Sequence, residues 1–227
     1  MLQDSKIKFE IDRSNIEGVK DMNNEVFPSH FLALICGKPG SGKTSLLKFI
    51  LKNPQLLYKK YDFVFIISPS YKEYQDLYLP KINFINELDF DWVKYKINYI
   101  NTKYPTEYIN VLFILDDVIS TLHKNSRSKE ILDFIFNRRH LLNNGMISII
   151  LTSQKYNCVP TPIRSNITMF ITFKLNNIDW KHIKDEIIFS DLNFDDILNY
   201  TFTDDKQFLI YRLDNNQFYK NFDKFNI

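Results

Sequence analysis

Cysteine and glycine are scarce in this chain, and long apolar runs are missing. Its two cysteines, Cys36 and Cys158, show neither the spacing of a metal site nor a disulfide framework, which is typical of a reducing intracellular compartment. The four histidines are dispersed. No apolar run reaches the roughly eighteen residues of a membrane helix, and the first residues lack the apolar segment of a secretory signal. We therefore expect a soluble, unexported protein with no membrane partner and no structural metal.

Positive and negative charges are nearly balanced in this chain, with 29 Lys and Arg residues against 27 Asp and Glu. The formal net charge is +2 and the pI is about 8.3, which excludes a nucleic-acid binder that depends on bulk positive charge. Any contact with DNA must be local. The chain lacks the Asn-Lys-x-Asp segment of a GTPase and the Leu-Ser-Gly-Gly-Gln signature of a transporter ATPase. Its 44% hydrophobic residues suffice for a buried core.

Three of the five glycines stand in one short window. The window follows the apolar run Phe31 to Cys36 and precedes a helical pattern that begins at Thr44, as in a phosphate-binding loop. Lys43 supplies charge to the β- and γ-phosphates, and Thr44 offers a hydroxyl to Mg²⁺. The sequence therefore predicts an ATP site formed by Gly37, Lys38, Pro39, Gly40, Ser41, Gly42, Lys43, Thr44 and Ser45.

Further apolar runs recur in the manner of buried parallel strands. Helical or irregular segments separate them, which predicts an α/β fold with a mainly parallel sheet. Two short apolar runs flank Asp214 to Asn216 and predict a closing β-hairpin. The predicted strands are 31–36, 63–67, 111–115, 146–151 and 167–173, and the predicted helices are 44–52, 126–140, 179–188 and 194–200.

The apolar run Val111 to Leu115 ends in two carboxylates, Asp116 and Asp117. In the Walker B arrangement the first carboxylate holds Mg²⁺ and the second orients or deprotonates the attacking water. An Asp-Asp pair after a strand is by itself more often a helix cap or a solvated turn. Beside a complete glycine loop we interpret Asp116 as the metal carboxylate and Asp117 as the catalytic one.

Two further polar features have alternative interpretations. Gln154 follows the run Ser148 to Leu151, where it can sense the γ-phosphate or simply belong to a polar loop. Arg138 and Arg139 close the predicted helix 126–140, where cations favour the helix dipole. They can also supply an arginine finger, which ring ATPases commonly take from the neighbouring subunit.

The ordered set of motifs resembles the genome-packaging ATPases of large DNA viruses, of the poxvirus type and including virophage proteins, within the FtsK–HerA class. The resemblance covers about Phe31 to Phe173 and rests on the two Walker motifs, on Arg139-His140-Leu141, and on the segments from Ile149 to Gln154 and from Arg164 to Thr168. It implies a P-loop NTPase of the additional-strand, RecA-like type. It also implies Arg139 as the trans finger and Gln154 as the sensor, and it gives Arg164 no role.

The function implied is an ATP-hydrolysing motor that moves double-stranded DNA into a preformed capsid, as a ring of five or six identical subunits. Its partners would be duplex DNA and a capsid or vertex protein, in the host cytoplasm or viral factory, with or without association with the virion. A nucleoside or nucleotide kinase and an ATP-dependent assembly switch stay open as alternatives. The expected organisation is an N-terminal arm (1–30), an ATPase core (31–175) and a C-terminal helical segment with its hairpin packed on the core (176–227).

Local basic segments are the candidates for DNA contact. Lys124, Arg127 and Lys129 follow the Walker B strand, and Lys155 follows Gln154, although such charges are more often solvated surface. Lysines and aromatic residues interleave over 92–104, which favours an amphipathic helix over a surface that stacks single strands.

Overall fold

One sheet of nine strands runs through the described part of the chain, which in this computed structural model comprises residues 26–79, 83–118, 129–187, 194–204 and 206–225. Five strands coincide with apolar runs of the sequence, so those predictions are confirmed. They are β1 (Leu32–Cys36), β2 (Phe63–Ile67), β4 (Ile109–Leu115), β5 (Gly145–Ser153) and β6 (Met169–Phe173). The two-residue strand β3 (Phe84–Ile85) has no counterpart among the predicted strands.

The parallel part of the sheet has the strand order β3-β2-β4-β5-β1-β6. β5 lies between the strand that precedes the glycine loop and the strand that precedes the Asp-Asp pair. Its Thr152 stands opposite Ile35 of β1, and its Leu151 stands opposite Leu115 of β4. This is the additional-strand arrangement, so the predicted fold class is confirmed.

Three antiparallel strands extend the sheet beyond β6. They are β7 (Phe208–Arg212), β8 (Gln217–Lys220) and β9 (Asp223–Phe225). The β7–β8 hairpin is confirmed, and its turn is held by a hydrogen bond from Tyr211 Oη to Asn216 Oδ1 at 2.8 Å. β9 has no counterpart among the predicted elements. Because β7 pairs with β6, one sheet connects the predicted core with the C-terminal segment. The boundary between them at 175 stays a prediction.

The helices cover both faces of the sheet and agree with the predicted ones to within a few residues. The helix predicted over 126–140 is described from residue 129 to 136; residues 126–128 lie outside the described ranges, and 137–140 form a bend and turn. The stretch over 92–104 is a helix, as favoured. The described helices are α1 (Lys43–Lys52), α2 (Phe90–Lys103), α3 (Lys129–Phe136), α4 (Thr161–Arg164), α5 (Asn177–Glu186) and α6 (Phe194–Thr201), with 3₁₀ segments at Tyr71–Leu77 and Tyr156–Cys158.

α2 illustrates how local sequence sets these elements. Asp89 precedes the helix, and its side chain accepts hydrogen bonds from the N–H groups of Asp91 and Trp92. This satisfies two amides that have no intrahelical partner. Val93, Ile97 and Ile100 recur at helical spacing and are buried. The cap fixes where α2 begins, and the apolar stripe fixes which face packs on the sheet.

The core has two layers, one on each face of the sheet. Alternate residues of β1 point to opposite faces. Leu32, Leu34 and Cys36 join the buried residues of α2, α3, α5 and α6, whereas Ala33 and Ile35 join those of α1 and of the 3₁₀ segment Tyr71–Leu77. The sheet is therefore buried on both faces, which explains the continuous apolar runs of its strands.

The N-terminal arm predicted over 1–30 lies mostly outside the described residues. Within the described part, Phe27 is buried and packs against Phe31 with ring centroids 5.5 Å apart. No helix in the described ranges is long and apolar enough to span a membrane.

Gly145, the first residue of β5, is required by a close backbone approach. It stands opposite Ile109 and has a φ of 142°, and a Cβ at this position would overlap the Ile109 carbonyl oxygen. Since the neighbouring atom is backbone, relief needs a shift of one strand against the other.

We predict that Gly145→Ala lowers the free energy of unfolding by about 3 kcal/mol, because it adds both a strained φ and a backbone clash. In a domain of this size the melting temperature should fall by roughly 8 °C, measured by circular dichroism. Gly145→Ser should cost about as much, since the clash is at the Cβ that both substitutions share. A melting temperature within the error of the unaltered chain would contradict the assignment.

Candidate nucleotide site

The loop between β1 and α1 owes its shape to glycine. Gly40 and Gly42 have φ of 75° and 104°, in the left-handed region that other residues rarely adopt. Gly42 is the N-cap of α1, and no side chain caps this helix. The N–H groups of the first turn and the positive end of the helix dipole therefore face whatever the loop holds. Such a helix start binds phosphate.

The beginning of the loop is tightly packed. A Cβ at Gly37 would overlap the Ser41 side chain and come within 2.9 Å of the Phe173 ring. The Gly37 N–H donates to the Ser153 carbonyl at 3.1 Å, which joins the loop to β5. The Ser41 hydroxyl is buried and has no hydrogen-bond partner within the described ranges. A phosphate oxygen is the acceptor that this buried hydroxyl fits.

The Lys43 ammonium lies over the same loop. Nζ donates to the carbonyl of Gly37 at 2.6 Å and to that of Lys38 at 3.1 Å. Burial lowers the pKa of Lys43, whereas the negative charges of Asp116 and Asp117 act in the opposite direction. The lysine and both carboxylates predicted from the sequence therefore share one electrostatic environment.

Asp116 is a buried carboxylate, 5% exposed, directly after β4. Its Oδ2 accepts hydrogen bonds from Ser68 Oγ at 3.2 Å and from Tyr74 Oη at 2.7 Å, and its Oδ1 accepts one from Thr152 Oγ1 at 2.7 Å. A carboxylate has about four lone-pair positions, so these three hydroxyls leave room for a metal-bound water. Because Mg²⁺ prefers hard oxygen ligands, Asp116 together with Thr44 fits the predicted metal site.

Asp117 lies beside Asp116 but at the surface. Its φ is 56°, and its N–H donates to Thr152 Oγ1 at 3.0 Å. Gln154 Nε2 is 3.5 Å from Asp117 Oδ1, at the limit of a hydrogen bond, and both side chains are exposed. The structure thus brings the predicted catalytic carboxylate and the predicted sensor together. Their chemical roles stay predictions.

Of the three hydroxyls that bind Asp116, Thr152 belongs to the polar run that the sequence places at the carboxyl edge of the sheet, whereas Ser68 and Tyr74 were not singled out. Ser68 directly follows the buried strand β2, and that position is the signal that could have identified it. Tyr74 offers no such signal because it lies in a polar stretch with no strand pattern. Only the path of the 3₁₀ segment Tyr71–Leu77 brings its ring into the interior.

The two adjacent arginines differ in exposure. Arg138 is 4% exposed, donates to the Ile135 carbonyl, and has its pKa lowered to about 10 by burial and by the charge of Arg139. Arg139 is exposed. Burial first, and then the charges of both arginines, lower the pKa of His30, which lies just before β1. The turn that carries both arginines is followed by Leu141, whose carbonyl accepts from Asn101 near the end of α2, and by the start of β5 at Gly145. The arginines therefore lie near the amino edge of the sheet, and the length of β1, roughly 16 Å, separates that edge from Lys43.

Arg164 is part of a partly buried contact between helices. Its Nη2 is 3.0 Å from Glu186 Oε1 of α5, and its guanidinium stacks 4.9 Å from the Tyr156 ring centroid. Tyr156 Oη donates to Glu186 Oε2 at 2.9 Å, and Arg164 also donates to Thr161 Oγ1 at 3.0 Å. These contacts assign Arg164 the structural role of joining α4 to α5.

The candidate DNA contacts are only partly described. Lys124 and Arg127 lie outside the described ranges, as does the side chain of Lys129. Lys155 is exposed just after Gln154. In α2, Lys96 is buried and lies over the rings of Phe65 and Trp92, so this part of the helix packs on the sheet.

A parallel sheet with an additional strand between the two Walker strands, and a glycine loop that leads into a helix, define a P-loop ATPase. The family model described as Poxvirus A32 protein matches residues 19–190, and the chain belongs to this family. The family resemblance inferred from the motifs is thereby confirmed. No curated protein matches the sequence significantly.

Solved structures of low sequence identity share the fold. The genome packaging NTPase B204 from Sulfolobus turreted icosahedral virus 2, in complex with AMPPCP, has a TM-score of 0.63 and 17% identity over 86% of this chain and 98% of its own. The DNA-packaging ATPase B204 from Sulfolobus Turreted Icosahedral Virus gives 0.61 and 17% over 86% and 97%. The pCW3 conjugation coupling protein TcpA, with ATPgS, gives 0.52 and 15% over 86% and 59%.

We predict that Arg164→Ala destabilises the fold without affecting the nucleotide site. Loss of the guanidinium leaves Glu186 and Tyr156 without their cation, which should cost about 2 kcal/mol and lower the melting temperature by several degrees. A double-mutant cycle with Glu186→Gln should show coupling between the two side chains. The KM for ATP should stay within twofold of the unaltered chain. A large rise in KM at unchanged melting temperature would instead place Arg164 in the nucleotide site.

Proposed function

We propose that this chain is the ATP-hydrolysing motor that moves double-stranded viral DNA into a preformed capsid. Its membership of the poxvirus-type family supports the biological setting, and the likeness to packaging NTPases supports the fold of such a motor. The observation that carries the chemistry is the meeting of Asp117 and Gln154 at the carboxyl edge of the sheet, 3.5 Å apart. The loop that Lys43 contacts is joined to the same edge, because Gly37 accepts from Lys43 and donates to Ser153, the residue before Gln154. A phosphate-binding loop, a carboxylate and a side-chain amide at one exposed edge favour water as the acceptor of the γ-phosphoryl group.

In this proposal each group of residues has a separate role: phosphate binding, metal binding or orientation of the attacking water. The loop amides and Lys43 would bind the phosphates. Asp116 and Thr44 would hold Mg²⁺, and the chemistry that this ion supplies when bound is neutralisation of charge on the phosphate oxygens. Asp117 and Gln154 orient the attacking water, and Asp117 accepts its proton. Thr152 fixes the position of Asp116 relative to Asp117, because its hydroxyl donates to the Asp116 carboxylate and accepts from the N–H of Asp117.

The position of Arg139 supports a ring. It is exposed at the amino edge of the sheet, away from the glycine loop of its own chain. A finger at this edge serves a neighbouring subunit if copies assemble head to tail, an interface type that closes into rings. We propose a ring of five or six subunits around duplex DNA, docked on a capsid or vertex protein in the host cytoplasm. Arg138 is buried and is the poorer candidate for the finger.

We predict that the chain hydrolyses ATP without any nucleoside acceptor, that duplex DNA stimulates hydrolysis, and that ATP drives removal of a third-strand oligonucleotide from a triplex. Asp117→Asn is the matched control, because it should bind an ATP analogue normally and lose about 10³-fold in hydrolysis, together with displacement. Phosphate release can be measured with a coupled assay and displacement by gel.

Other results have distinct meanings. ATP consumption that requires a nucleoside and ignores duplex DNA would identify a kinase. Hydrolysis without any displacement of the third strand would identify an assembly switch. A near-normal rate for Asp117→Asn would remove Asp117 from the catalytic set.

The trans finger predicts complementation between two inactive variants. Arg139→Ala keeps its nucleotide loop and Lys43→Ala keeps its finger, and each alone should lose about 10³-fold or more in rate. In mixed rings, about a quarter of the interfaces pair an intact loop with an intact finger, so activity should return to a measurable level. Native mass spectrometry with an ATP analogue and duplex DNA would count the subunits and verify mixing. Mixed rings that stay inactive would argue against a finger acting between neighbours.

A further inference from the structure

The 3₁₀ segment Tyr71–Leu77 places a phenol inside the nucleotide site. Tyr74 is fully buried, and its hydroxyl donates to Asp116 Oδ2 at 2.7 Å. This is shorter than the 3.2 Å bond from Ser68 to the same oxygen. A short hydrogen bond to a buried carboxylate restricts the direction in which the remaining lone pairs point.

The segment that carries Tyr74 is attached to α1, the helix that begins at the glycine loop. Asp76 forms ion pairs with Lys48 at 3.1 Å and with Lys52 at 2.6 Å, one turn apart on α1. At its other end the Ser70 N–H donates to Ser68 Oγ at 3.1 Å. Both ends of the segment are therefore fixed relative to the two Walker motifs.

The hydroxyls around Asp116 leave one position on the carboxylate. Tyr74 and Ser68 both donate to Oδ2, whereas only Thr152 donates to Oδ1. The lone pair that stays available for a metal-bound water is therefore on Oδ1.

We propose that Tyr74 is a positioning residue for the metal, which orients the Asp116 carboxylate towards the Mg²⁺ that Asp116 and Thr44 would share. The inference rests on the proposed function, in which these two side chains hold the ion. Tyr74 itself does not touch nucleotide or metal. Its removal leaves the phosphate cradle intact and weakens only the part of binding that depends on Mg²⁺.

The test compares affinity for a fluorescent, slowly hydrolysed ATP analogue in EDTA and in Mg²⁺, with the full chain carrying Tyr74→Phe. The gain in affinity on adding Mg²⁺ should fall about tenfold, as for loss of one hydrogen bond to a charged group, while the Kd in EDTA stays within twofold. Tyr61→Phe is the matched control. It removes another buried phenol, which stands two residues before the start of β2, at the edge of the sheet opposite the site, and should leave the Mg²⁺-dependent gain unchanged.

The outcomes separate this inference from the proposed function. An unaltered chain that binds the analogue equally with and without Mg²⁺ would overturn the proposed Mg²⁺–ATP site itself. If Mg²⁺ raises the affinity of the unaltered chain, two results would overturn the role of Tyr74 alone. One is that Tyr74→Phe shows the same rise in affinity, and the other is that Tyr61→Phe loses as much of it as Tyr74→Phe does. If Tyr74→Phe fails to fold, Asp76→Asn releases the segment from α1 at a half-exposed position. It should reduce the gain about threefold, and an unchanged gain would overturn the inference.

Discussion

The burial of one carboxylate organises this site. Asp116 lies at the carboxyl edge of the sheet, almost without exposure, and a buried charge must be compensated by hydrogen bonds or opposite charge. Three hydroxyls compensate it, and they come from three separate parts of the chain: the end of β2, the 3₁₀ segment and the end of β5. Satisfying Asp116 therefore fixes these segments relative to one another. The charge of Lys43 completes the balance from the glycine loop.

The sequence predicts the parts of this arrangement that depend on residues close together along the chain. Strands buried on both faces read as continuous apolar runs, and a glycine loop between a strand and a helix has a fixed spacing, so β1, β4 and the loop were predictable. Tyr74 was not, because its role depends on a tertiary path that no periodicity encodes. β9 pairs with β8 over only Asp223–Phe225, too short a stretch for alternation to be read. The sequence likewise could not show that Arg138 is buried and Arg139 exposed, because exposure depends on tertiary packing.

The two edges of the sheet hold different parts of the proposed machine. The carboxyl edge gathers the loop, the two carboxylates and Gln154, whereas Arg139 lies near the amino edge. Within the described residues, α3 and the turn after it lead towards the start of β5 at the amino edge. Under the proposed function, the nucleotide site and the finger would therefore lie at opposite edges of the sheet. The proposed head-to-tail assembly would bring Arg139 of one copy to the nucleotide loop of the next.

The two thiols of the chain differ in a way that has a practical use. Cys36 is completely buried next to the glycine loop, and burial raises its pKa, so it holds no reactive thiolate near neutral pH. Cys158 is partly exposed, four residues beyond Gln154. A maleimide dye added to the native chain would thus mark a single position on the loop that follows the sensor strand. The unmodified sequence already carries a fluorescence handle close to Gln154, the proposed γ-phosphate sensor.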